Sequence, residues 1–170
     1  MSSNNTWLTR AEIATDIDDI RAITLAAFDT AEEADLVDAL RADSAWLDGL
    51  SMITTDTEGT IIGHALLTRC HIDTTPALCL APCSVRPEYQ RTGAGSAAIR
   101  AVLNAARDQG ESFVVVLGHP EYYPRFGFGR ASAHGIRLSI EVPDEALMAL
   151  SLTAEQLPSG TVRYATPFGI

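Results

Sequence analysis

The sequence predicts an α/β fold, with a mixed, mostly antiparallel central sheet flanked by helices and one parallel crossover. Three observations predict it. Short apolar runs bounded by turn residues recur along the chain, as strands require. Three longer stretches repeat apolar residues every three to four positions, as amphipathic helices do. One of those helices lies between two strand patterns, 77–85 and 113–117, the arrangement that joins parallel neighbours.

Taken in order, residues 6–13 alternate weakly as a first strand. Asp16 opens a helical pattern with Ile17, Ile20, Ile23, Ala27 and Phe28 on one side. Thr30 and Glu33 have capping-box spacing, and the helix they start turns Leu36, Val37 and Leu40 inward, with Arg41 and the acids outward. Residues 50–55 and 60–72 form a hairpin turning at Glu58-Gly59. Pro82 interrupts the strand 77–85. It removes a ladder donor, which predicts a bulge or an edge. After the loop 86–96, a helix to about Gln109 buries Ala98, Ile99, Val102, Leu103 and Ala106, with Gly110 as its stop. Phe113–Leu117 is apolar throughout, as a strand covered on both faces. A short helix over 120–126, a strand over 136–141, a short helix after Pro143-Asp144 and a last strand over 161–166 complete the prediction.

A chain of 170 residues, 46% hydrophobic and 20% charged, suits a globular fold. The absence of repeats and linkers predicts a single domain over 1–170. All twelve positive side chains are Arg, against 22 Asp and Glu, for a net charge of −10. Without Lys there is neither a Walker-type phosphate site nor Schiff-base catalysis. An acidic chain with no basic tail is a poor nucleic-acid binder. The excess is local: residues 1–60 hold three Arg and 13 acids, and the remainder is balanced. Solvated helix faces explain this, as does a field that draws in a cationic partner. No apolar run is long enough to span a bilayer. The first residues resemble no signal peptide. Cys70, Cys79 and Cys83 are too few for a disulfide scaffold, so a cytoplasmic, reducing setting is expected. The four His lack metal-ligand spacing, and no metal is expected.

The most informative segment is Gln90-Arg91-Thr92-Gly93-Ala94-Gly95-Ser96, between a strand and a helix. Glycines permit a tight turn and close approach, and a helix N-terminus offers unpaired amides and a partial positive charge. Together these can cradle a diphosphate without Lys, with Arg91 adding a charge-assisted contact. A dinucleotide fingerprint over Gly93, Gly95 and Ala98 is disfavoured. Six polar residues precede the first Gly, and the next strand ends Leu117-Gly118-His119 with no acid.

The run Val85–Ser96, with Gln90, Gly93 and Gly95 in place, resembles the acetyl-CoA loop of the GCN5-related N-acetyltransferases (GNAT). Downstream, Leu117-Gly-His-Pro-Glu-Tyr-Tyr-Pro-Arg-Phe-Gly-Phe128 resembles the YhbS-like branch of that family. The resemblance implies a GNAT-like sheet with a β-bulge and splayed strands at the acetyl-CoA site. It implies an acetyl-CoA-dependent N-acetyltransferase in which an amine attacks directly in a ternary complex. It places the Cys83 N–H at the acetyl carbonyl as an oxyanion donor, Val85 on pantetheine, and Gln90, Arg91, Thr92, Gly93, Ala94, Gly95 and Ser96 around the pyrophosphate. Tyr123, four residues before Gly127, falls at the family's general acid; a phenol with a pKa near 10 is protonated at neutral pH. Tyr122 is the less favoured choice, and Arg125 reads as structural. His119 is the candidate base, with water chains to acids of residues 29–38 as the alternative; His64, His71 and His134 read as structural. The Cys83 thiol reads as a small apolar group and not a nucleophile.

The acceptor is expected to be a small-molecule or peptide amine, with cationic amines favoured by Asp29, Glu32, Glu33, Asp35 and Asp38 on the first two helices. The last 30 residues are expected to complete this site and to offer an edge for a homodimer. The alternative function is a non-catalytic acyl-CoA sensor.

Overall fold

Residues 6–170 are described by the structure, a computed structural model. The strands β1 (Leu8–Ala11), β2 (Trp46–Thr55), β3 (Ile61–Ile72), β4 (Thr75–Val85), β5 (Phe113–Leu117), β6 (Gly129–Arg130), β7 (Ile136–Arg137), β8 (Leu147–Ser151) and β9 (Gly160–Arg163) make a nine-stranded arrangement. Its main path runs β1-β2-β3-β4-β5-β8-β6, with β9 paired to β3 and β7 to β9. Every step of the main path is antiparallel except β4–β5, which is joined by the predicted crossover.

The period-two patterning assigns the faces. Ala65 and Leu67 of β3 pack under α3 (Ala94–Asp108), whose Ala98, Ile99, Val102, Leu103 and Ala106 are buried as the spacing predicts. Leu66, between them, points to the opposite face, where α1 (Ile17–Ala27) and α2 (Glu32–Arg41) lay down Ile20, Ile23, Val37 and Leu40. The rest of that face is covered by Ala131, Ile136 and Val162 from the C-terminal segments, against Cys70, Cys79 and Val115. No helix among the described residues is long and apolar enough to cross a membrane.

The expected bulge lies at Pro82. Ala65 pairs with Cys83 but Leu67 pairs with Leu80, so β4 carries one more residue than β3 across this step. β4 is a central strand and not an edge. Pairing of β4 with β5 is confined to Leu78–Val114 and Cys79–Val115, although both strands continue. They separate at the bulge.

Several expectations need correction. Residues 147–151, rich in helix formers, are a strand because every one pairs with β5, and tertiary pairing overrides weak propensity. The helix expected after Asp144 shrinks to a 3-10 turn, Asp144–Ala146. The strand expected over 136–141 keeps only Ile136–Arg137, the residues that reach β9. The helix expected over 120–126 is a 3-10 turn, Tyr123–Phe126. The Thr30–Glu33 capping box does not form; α2 starts at Glu32, and Thr30 Oγ1 accepts the Glu32 N–H at 3.3 Å. Arg41 does not point to solvent. It pairs with Glu12 and lies over the Trp46 ring, 4.6 Å from its centroid.

Glu12 also accepts the Ser51 hydroxyl, whose oxygen lies 2.7 Å from Nε2 of the fully buried His64. Because the Ser51 proton goes to the carboxylate, Nε2 is the donor to Ser51 and His64 is the Nε2–H tautomer. Burial, with the Arg41 charge adding to it, pushes the His64 pKa down to about 3. A folded-state value below the unfolded one near 6.5 means that only the unfolded chain takes up this proton as pH falls through that range. Stability should therefore decline between about pH 6.5 and 4.5, by up to ~1.4 kcal/mol per pH unit from this group. Urea unfolding of His64→Gln across that range should show a flatter slope than the wild type.

Candidate active site

The loop that leaves β4 is tied down from several directions. Arg86 Nε donates to Ile61 O at 2.7 Å, Thr92 Oγ1 to Tyr89 O at 2.5 Å, and Trp7 Nε1 to Thr92 O at 3.0 Å. Trp7 also meets Tyr89 edge-on. Within the loop, Arg91 has φ of +64° and Gly93 +90°, so the chain reverses sharply before α3 begins. For Gly93 this conformation carries no side-chain penalty. The first helical amide to bond back is Ala97, to Gly93 O at 3.0 Å. The preceding amides of Ala94, Gly95 and Ser96 have no hydrogen-bond partner among the described residues, as at any uncapped helix start.

Gly95 and Ser96, with Gly93 before them, line a cavity of about 590 Å³. One wall is Val85, Gln90, Arg91, Gly93, Gly95 and Ser96; the other comes from the segment after β5 and includes His119, Glu121, Tyr122 and Arg125. Gly95 is there for closeness: a Cβ on it would lie 2.8 Å from Val85 Cγ2. Of the loop residues singled out from the sequence, Thr92 and Ala94 do not line the cavity. The Thr92 hydroxyl closes the loop onto Tyr89, and the Ala94 side chain is buried, its carbonyl accepting Thr54 Oγ1 at 2.8 Å.

Tyr123 and Cys83 lie together, half-buried against the core under α3, and neither lines the cavity. The Tyr123 hydroxyl lies beside the Cys83 thiol. Burial pushes the thiol up to about 12, so it stays protonated and is no nucleophile at neutral pH. Burial likewise raises the Tyr123 phenol, beside Cys83, above its ordinary value near 10. Tyr123 is held in a cluster of edge-on rings, 5.1 Å from Tyr122 and 6.0 Å from Phe128 between centroids. His119 is elsewhere. Its side chain is 83% exposed at the cavity rim, 3.9 Å from the Glu121 carboxylate.

Tyr122 and Arg125 are more than the structural groups their sequence positions suggest. The Tyr122 hydroxyl is 2.9 Å from Ser96 Oγ, bracing the two walls. Arg125 lies over the Tyr122 ring at 4.3 Å and donates Nε to Tyr122 O at 2.8 Å. The Tyr-x-x-Arg spacing in a single turn was the available signal. On the opposite face of β4, Ser84 Oγ lies 3.3 Å from Thr24 Oγ1 of α1. In α1 and α2, Arg21 takes up Asp35 at 2.9 Å and Asp38 at 2.7 Å, while Asp29 and Glu32 are exposed without a cationic partner among the described residues. No group of three metal-ligating side chains occurs among the described residues.

Comparison with known proteins gives a consistent result. The model of the acetyltransferase (GNAT) family matches residues 17–128. The uncharacterized N-acetyltransferase YjhQ of Escherichia coli strain K12 is 38% identical over 161 residues, covering 89% of this chain and 88% of YjhQ. The crystal structure of the GNAT family N-acetyltransferase YhbS from Escherichia coli in complex with CoA superposes with a TM-score of 0.91 at 28% identity, over 100% of this chain and 96% of that one. A GNAT family acetyltransferase from Brucella melitensis, solved in complex with acetyl-CoA, gives 0.79 at 29% identity, over 96% and 99% of the two chains.

Gly95→Ala should force α3 and Val85 apart at the loop. The expected cost is about 1–3 kcal/mol, as for other overpacked sites, read as a lower urea midpoint at unchanged slope.

Proposed function

Because the chain belongs to the GNAT family of acetyltransferases, we propose that it moves an acetyl group from acetyl-CoA to a primary amine, with small cationic amines favoured. Attack is direct, within a ternary complex. The observation that carries this reading is the pairing of the unpartnered Gly95 and Ser96 amides at a 590 Å³ cavity with a half-buried, protonated tyrosine beside β4. The residues fit acetyl-CoA: orphaned N–H groups and Arg91 suit a diphosphate, and the gap between β4 and β5 suits an extended arm that pairs with a strand edge.

Acetyl-CoA supplies a thioester carbonyl open to attack and a thiolate leaving group. Val85 offers its backbone to the arm. The Cys83 N–H, just past the bulge, donates to the position where oxyanion charge develops. Tyr123 keeps its proton throughout the physiological range and gives it to the departing sulfur, whose conjugate acid has a pKa near 8.5. The amine must arrive unprotonated or lose a proton. His119 is the side chain we assign to this step, from the cavity rim. Asp29 and Glu32, exposed on the α1–α2 side, favour a cationic acceptor. We place the reaction in one catalytic domain spanning the chain, in the cytoplasm, where the three cysteines, all free here, stay reduced.

Thermal unfolding with acetyl-CoA, CoA, NAD and ATP in separate samples tests the ligand. Saturation at about 100 times the dissociation constant adds ~2.7 kcal/mol, a rise of several degrees, expected for the two CoA species only. Tyr123→Phe should lower kcat about 10²-fold with CoA affinity nearly unchanged. An unaltered rate in the variant would remove Tyr123 as the acid, and binding of CoA with no acetyl-CoA consumption by the wild type on any amine would favour the sensor function instead. In the wild type, no loss of rate attributable to Tyr123 should appear below about pH 10. Turnover of a polyamine should fall as salt rises, whereas a neutral amine should show little change.

A further inference from the structure

CoA carries two anionic groups, a diphosphate in the chain and a phosphate monoester on the 3′ position of the ribose. The loop amides and Arg91 account for the first. The cavity contains a second arginine with no acidic partner among the described residues, Arg125, on the opposite wall. Resting on the acetyl-CoA reading above, we propose that Arg125 binds the 3′-phosphate and makes this site select CoA over its 3′-dephospho form.

The geometry separates the two phosphate seats. Tyr122 touches the start of α3 with its hydroxyl, 2.9 Å from Ser96 Oγ, and the Arg125 guanidinium lies over the ring of the same tyrosine at 4.3 Å. The aromatic ring is thus a spacer between the amides and the cation. Arg125 is also oriented in advance. Its Nε is spent on Tyr122 O at 2.8 Å and its Cζ lies over the ring at 4.3 Å, while neither Nη group has a hydrogen-bond acceptor among the described residues. Two N–H edges fixed at an open wall are what a bidentate phosphate contact needs. The monoester carries between one and two charges at neutral pH, so it gains most from such a fork. Arg100, the other arginine of this region, lies over Phe126 at 4.9 Å and lines a separate cavity of about 250 Å³. Glu121, in the same wall as Arg125, repels a phosphate that strays toward His119.

The test is titration calorimetry of CoA and 3′-dephospho-CoA against the wild type, Arg125→Gln and Arg125→Lys. Each protein is first checked for folding by thermal unfolding without ligand. The wild type should bind CoA about tenfold or more tightly than 3′-dephospho-CoA, the scale of a hydrogen bond to a charged group. In Arg125→Gln the two dissociation constants should converge to within about threefold, almost entirely through weaker CoA binding. Arg125→Lys, which keeps charge but loses the fork, should fall between. Equal binding of both ligands by the wild type overturns the proposal, as does a gap that survives in Arg125→Gln. So does an equal weakening of both ligands, which would assign Arg125 to the diphosphate. Binding of neither ligand by the wild type would instead remove the acetyl-CoA reading itself, and this inference with it.

Discussion

Backbone groups that leave a β-ladder still need hydrogen-bond partners, and this requirement organises the molecule around β4. The strand is paired with β3 along its whole length, but with β5 only at Leu78 and Cys79. The extra residue at Ala81–Pro82 bends it away, so the side of Cys83 to Val85 that faces β5 is left without a strand. A sheet cannot leave such a gap in its centre unless something fills it. Here Tyr123 lies beside Cys83, and Val85 lines the cavity. The proposed reaction would use such a parting twice, for a strand-like cofactor arm and for an acid beside it.

The aromatic group makes that arrangement rigid. Tyr122, Tyr123, Phe126 and Phe128 meet one another mostly edge-on, in a stretch of seven residues. Each tyrosine has a distinct polar end: Tyr123 is directed to the thiol on β4, Tyr122 to the hydroxyl of Ser96 on α3. The segment after β5 is therefore fastened to both elements that form the cavity. A desolvated phenol is a costly group to ionise, so the packing that fixes Tyr123 in place also keeps it protonated. Packing and proton inventory are set by the same contacts.

Much of this was legible in the sequence where the signal is local. The period of α3, the apolar run of β5 and the glycines of the loop each declare their structure within a few residues. The bulge followed from a proline in a strand. What escaped depends on distant pairing. Leu147–Ser151 reads as helix by composition and becomes a strand only because β5 lies beside it. Glu12 follows β1, while Arg41, Ser51 and His64 come from α2, β2 and β3; no spacing links them, yet they form one largely buried chain of hydrogen bonds. Tyr122 and Arg125 lay inside a recognised motif. Their part in the cavity was missed because a Tyr–Tyr pair offers one residue to each side of a turn, and the sequence alone does not say which side holds the ligand.

Charge completes the division of labour. All three arginines of residues 1–60 are committed to nearby carboxylates: Arg10 to Asp16, Arg21 to Asp35 and Asp38, Arg41 to Glu12. They orient helices and strand ends, and they leave the remaining acids of that region uncompensated. At the cavity the balance reverses. Arg91 and Arg125 have no carboxylate partner among the described residues, and unpaired helix amides add to their field. Opposite signs thus face the two sides of β4, anionic toward α1 and α2 and cationic toward α3. On the proposed function, a polyanionic cofactor and a cationic acceptor would be drawn to different faces of one strand. Neither would compete for the other's seat, and their reactive ends would meet where that strand leaves its neighbour.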